Sequence, residues 1–88
     1  MNREKLKRIA MDMNATLQVG KFGLNDRVKG ELDNQLEANE LIKVKFLQSA
    51  GPVNEWKEDF ISMVGDLGAS LVEIKGKTAV VYRKKKDH

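Results

Sequence analysis

The apolar residues of this 88-residue chain switch back and forth between two spacings, and that switching limits the folds open to it. A helix buries residues three and four apart, whereas a strand buries every second one. Leu6, Ile9, Ala10 and Met13 follow the helical rule and predict a helix over Arg3–Met13, closed by Asn14. Ala15–Val19 reads as a short strand. Asn25 is a suitable N-cap, with Asp26 favourable to the dipole behind it, and Val28, Leu32 and Leu36 carry a second helix to about Ala38. Gly30 inside that helix suggests close packing against a sheet, and Asn39 is read as a left-handed C-terminal closure. In Leu41–Leu47, Ile42, Val44 and Phe46 alternate with Lys43 and Lys45, the pattern of a half-buried strand. Asn54 is read as the cap of a third helix bearing Trp56, Phe60, Met63, Val64 and Leu67, with Gly68 just past its end. Leu71–Ile74 and Thr78–Tyr82 are rich in β-branched residues, and Lys75-Gly76-Lys77 between them suits a tight hairpin turn.

The resulting order is α-β-α-β-α-β-β. Strands joined through helices imply crossover connections, and the last pair adds an antiparallel hairpin. The expected fold is therefore α/β: a compact two-layer domain with a mixed four-stranded sheet and a GXXG loop between strand 1 and helix 2. Eighty-eight residues suffice for one core, so residues 1–83 are read as one domain and 84–88 as a basic flexible tail. No stretch is apolar enough to span a membrane, and no apolar segment follows the N-terminal charges as a secretory signal would require. Cysteine is absent, which removes disulfides and thiolate zinc sites from consideration. A cytoplasmic, monomeric protein is expected.

The net charge is +3, but it is unevenly distributed. Residues 25–40 and 54–67 are acidic on balance, and the rest of the chain is basic. If the acidic segments are helices on one side of the sheet, the basic segments can gather elsewhere as a surface that attracts polyanions. The plainer alternative is solvated decoration.

Gly20-Lys21-Phe22-Gly23-Leu24 lies between the first strand and the helix starting at Asn25. Glycines let a backbone approach a ligand closely, and the helix N-terminus behind offers N–H groups to a phosphate. KH-type modules clamp a nucleic-acid backbone with such a GXXG loop.

The run LQVGKFGLND after a basic first helix, then NELIKVKF, then LVEIKGKTAVVYR resembles the CRM domain (chloroplast RNA splicing and ribosome maturation), whose free-standing prokaryotic members are called YhbY-like. The resemblance extends from about Leu6 to Arg83, with Asn25 where many relatives have threonine or serine. It implies a fold similar to the C-terminal domain of a bacterial translation initiation factor. It also implies RNA binding through the GXXG loop, which matches the family at Gly20, Lys21, Gly23 and Leu24, with the adjoining basic surface, and association with ribosomal RNA in a large-subunit precursor.

Around that loop the residues suggest specific roles. Lys21 has little to pack against and suits a phosphate, while Phe22 either stacks on a base or folds inward over the core edge. Lys43 and Lys45 share the outer face of a strand, Lys5 and Arg8 project from helix 1 beside Lys7, and Lys77 and Arg83 flank the last strand. Each either extends the positive surface or keeps its element soluble. Trp56, at helical spacing with Phe60 and Met63, reads as core rather than as a stacking platform. Gly76-Lys77-Thr78 echoes a P-loop end, but residue 71 is Leu and a strand follows. No paired carboxylates or nucleophile with a nearby base suggest an enzyme, the single histidine is His88, and no cofactor, metal or small-molecule substrate is implied. A different class stays open: a protein-interaction module docking on a ribosomal or assembly protein through its acidic helices or an apolar patch.

Overall fold

The computed structural model describes residues 2–85. It contains α1 (Arg3–Met11), β1 (Leu17–Val19), α2 (Asp26–Ala38), β2 (Leu41–Phe46), α3 (Val53–Asp66), β3 (Ser70–Lys75) and β4 (Thr78–Tyr82), with a 3₁₀ turn at Gln48–Ala50. This is the expected order. The four strands form one sheet in the order β1-β2-β4-β3, with β1 parallel to β2 and the other two pairings antiparallel, so the sheet is mixed as read. The hairpin connection is Gly76-Lys77, and the φ of +60° at Gly76 explains the glycine at its first position.

One face of the sheet carries Leu17, Val19, Ile42, Val44, Phe46, Ala79 and Val81 against Leu32 and Leu36 of α2 and Trp56, Phe60 and Val64 of α3. Trp56 lies flat on Phe46, with ring centroids 3.6 Å apart and planes 3° from parallel, and Phe60 meets Phe46 edge-on at 5.1 Å. Trp56 is therefore core, as its spacing implies.

The other face is covered as well, which corrects the expectation of two layers. Leu6 and Ala10 of α1 pack on Val72 and Val80, with Met13, Leu41 and Tyr82 around them. Val80 and Val81 are adjacent in one strand and point to opposite sides, so both faces present apolar surface that must be covered. Helix α1 meets that need on one side and α2 with α3 on the other.

Several local expectations also change. Helix α1 stops at Met11 with Asp12 as C-cap, and Met13 continues the packing from beyond the helix. Asn39 is extended at φ −138°, not left-handed. Gly30 faces open space, with nothing within 4 Å of where a Cβ would stand, so it makes no close approach to the sheet. Helix α3 begins at Val53 behind Pro52, which supplies no side-chain cap, and Asn54 belongs to its first turn. Asn25 does cap α2, its side chain accepting from the Val28 N–H at 3.0 Å.

This layering separates charge. Helix α1 has four basic and one acidic residue, α2 two basic and four acidic, and α3 one basic and four acidic. The acidic helices share one face and the basic helix takes the other.

Candidate functional site

The C-terminal ends of β1 and β2 and the β3–β4 turn lie together, because Val19 pairs with Phe46 and the Phe46 N–H donates to the Lys77 carbonyl at 2.7 Å. The glycine loop leaves the sheet at this end. Its turn is closed by the Gly23 N–H donating to the Gly20 carbonyl at 2.9 Å, and Gly23 has φ +66°, where a β-carbon is strained. With the ends tied, Lys21 and Phe22 stand at the tip.

Phe22 is 80% exposed, which decides its two readings against the inward one. A lone exposed apolar side chain is ordinary by itself, but at the tip of this loop it leaves a ring face free to stack. The Lys21 ammonium sits 5.2 Å from the Phe22 ring centroid, and no carboxylate among the described residues pairs with it.

Behind the tip, β1, the loop and the first half of α2 enclose a cleft of about 450 Å³, lined by Gln18, Gly20, Phe22, Gly23, Asn25 and Arg27 among others. Gln35 ties α2 to the start of β1: its amide accepts from the Thr16 hydroxyl at 2.6 Å and donates to the Thr16 carbonyl at 2.9 Å. The Val28 amide of α2 is taken by Asn25, which leaves those of Asp26 and Arg27 without an acceptor among the described residues. The dipole favours an anion there, and the Asp26 carboxylate opposes one. Arg27, exposed in this cleft, is absent from the sequence-based set. Its position two residues past the cap of the helix behind the loop was the available signal.

The other candidates separate by place. Lys45 is exposed on the α1-side face of β2, and Lys77 is exposed in the turn at the loop end. Arg8 lines a groove between α1 and the sheet, whereas Lys5 is exposed outside its lining, about 160° round the helix from Lys7. Lys43 is not a free cation: its ammonium donates to the Ala10 and Met13 carbonyls at 3.0 and 3.2 Å and ties down the C-terminal end of α1. Arg83 is likewise engaged, and at the opposite end of the sheet from the loop. Its guanidinium bonds the Asp33 carboxylate at 2.7 Å, the Glu37 carboxylate at 3.1 Å and the carbonyls of Leu67 and Asp33 at 3.0 and 3.2 Å. Both lysine and arginine were read as surface cations because strand alternation shows which face a residue takes but not what covers that face. Of the tail, Lys84 and Lys85 are exposed, with the Lys85 N–H donating to Glu40, and Lys86–His88 lie outside the described residues.

Fold and loop together define a class: a small α/β module that presents a glycine-bounded loop and, beside it, an open cleft lined by Arg27 and Glu31 among others, at one end of a mixed sheet. The CRS1/YhbY (CRM) domain family matches residues 1–83, and the chain belongs to that family. It is 36% identical over 84 residues to the Bacillus subtilis protein named Probable RNA-binding protein YqeI, covering 94% of this chain and 84% of that one. A Haemophilus influenzae protein named RNA-binding protein is 35% identical over 82 residues, covering 92% and 80%. The solution structure of a hypothetical Staphylococcus aureus protein, described as a candidate RNA binder, superposes with a TM-score of 0.75 at 29% identity, covering 97% of this chain and 86% of that one.

Proposed function

We propose that this chain binds RNA by clamping its backbone between the Gly20–Gly23 loop and the N-terminal half of α2. The observation that carries the reading is the loop tip, where an aromatic 80% exposed stands over an open cleft beside Lys21, which has no ion-pair partner among the described residues. Lys21 and Arg27 supply phosphate contacts, and Phe22 stacks on a base, an interaction worth about 1–3 kcal/mol. The relatives named as RNA-binding support the ligand class. Ribosomal RNA in a large-subunit precursor is the partner, as the family resemblance implies, and the protein acts there as a cytoplasmic, monomeric, non-enzymatic assembly factor.

Lys21→Glu tests the clamp. Its exposed position leaves folding untouched, and exchanging one phosphate interaction for repulsion lowers RNA affinity by about tenfold, or about 1.4 kcal/mol. The log–log salt dependence of binding also shallows by about 0.7 for each single-strand phosphate that the protein no longer neutralises. Unchanged affinity in that variant sinks the clamp, and binding indifferent to salt favours an apolar protein partner instead. Crosslinking and sequencing of bound RNA in cells, with Lys21→Glu as control, tests the partner: a peak outside large-subunit ribosomal RNA refutes the assembly role and keeps the loop.

A further inference from the structure

The strand register places Gln18 beside Lys45, Lys45 beside Thr78 and Thr78 beside Lys75, so one row of side chains crosses all four strands. At about 4.8 Å per strand spacing the row is about 14 Å long. It lies on the α1-side face, since Leu17, Val19, Val44, Phe46 and Ala79 flank it on the opposite face. Helix α1 covers Val72 and Val80 but leaves this row open, with Gln18, Lys45 and Lys75 exposed and Thr78 half-buried. The row contains no carboxylate, and neither lysine is in an ion pair among the described residues.

Both ends of the row open into concave surface. Gln18 also lines the loop cleft. Lys75 and Thr78 line a groove of about 610 Å³ between α1 and the sheet, bounded by Lys7, Arg8, Met11 and Val80. Glu4 and Glu73 line it too, with Glu4 3.9 Å from the Lys7 ammonium. Cations at the rim around an apolar floor suit a phosphate above an inserted base, and the size is that of small-molecule sites.

Resting on the clamp proposed above, we infer that a single-stranded RNA held in the loop cleft continues over Gln18, Lys45, Thr78 and Lys75 and places a nucleotide in the groove beside α1. The cleft lies on the α2 side of edge strand β1 and the groove on the α1 side of the sheet, so the ligand must turn around that edge. A flexible single strand makes that turn and a stiff duplex does not. The footprint then exceeds the four nucleotides that a GXXG clamp holds.

The test compares a uridine 4-mer, a uridine 10-mer and a ten-base-pair RNA duplex on wild-type protein, Lys45→Gln/Lys75→Gln and Lys21→Glu. Wild type binds the 10-mer about 50-fold more tightly than the 4-mer, beyond the several-fold owed to extra registers. The double variant keeps 4-mer affinity within about twofold and loses most of the length gain, with an unchanged thermal midpoint because both lysines are exposed. No length gain in wild type, an equal loss on both oligomers, or a duplex that outcompetes the 10-mer overturns the path. A Lys21→Glu variant that binds the 4-mer normally overturns the clamp instead, so the two failures are distinguishable.

Discussion

Arg83 offers the sharpest separation between a structural cation and a ligand-binding one. Its side chain is 17% exposed and joins the end of β4 to α2 through Asp33 and Glu37 and to the C-terminus of α3 through the Leu67 carbonyl. The Glu37 carboxylate is 77% exposed, so that pair contributes almost nothing, and the Asp33 pair, at 47%, contributes about 0.5–1 kcal/mol. The two carbonyl bonds contribute about 1 kcal/mol each, and truncation also leaves those acceptors under-satisfied. Arg83→Ala is therefore expected to cost about 2–3 kcal/mol, which for a domain of this size lowers the thermal midpoint by about 10–20 °C. Arg83→Lys keeps the charge but loses the fork and recovers less than half of that stability. Thermal unfolding followed by circular dichroism measures the cost, and RNA affinity measured well below the lowered midpoint stays at the wild-type value. A variant that melts normally but binds RNA weakly refutes the assignment and returns Arg83 to the ligand surface.

Lys43→Met keeps the aliphatic stem and removes the two bonds to the α1 carbonyls, so α1 amides exchange faster with solvent and stability falls by about 1–2 kcal/mol; an unchanged exchange pattern over α1 contradicts the tether. Gly30→Ala meets nothing within 4 Å and replaces glycine in an exposed helix interior, so it stabilises by about 1 kcal/mol, read as a raised urea midpoint. A loss of stability there means that Gly30 is packed after all.

The local rules carried the element order because each depends on a few neighbouring residues. Val28, Leu32 and Leu36 placed α2, and the Asn25 cap, Gly68 just past α3 and the two-residue hairpin at Gly76 all stand where their local chemistry puts them. Trp56 was legible as core from its spacing with Phe60. The glycine loop was legible too, since glycines around a lysine and an aromatic serve little packing purpose. The local misreadings at three positions shared one cause. Asn39, Gly30 and Asn54 each have a common local role that the surrounding chain did not require.

What sequence alone determined is the succession of elements, the mixed sheet and the loop at its end, because hydrophobic period, caps and turns act over a few residues. Which face α1 covers was decided only by tertiary structure. That choice depends on Val72 and Val80 meeting Leu6 and Ala10 across most of the chain. It also assigns the cations. Lys43 finds its acceptors 30 and 33 residues away, Arg83 finds carboxylates 46 and 50 away, and exposed Lys45, Lys75 and Lys77 form no ion pair among the described residues. A long cationic side chain is compatible with either fate in its own strand, and only the groups brought beside it by folding determine whether its charge is engaged or left for a ligand.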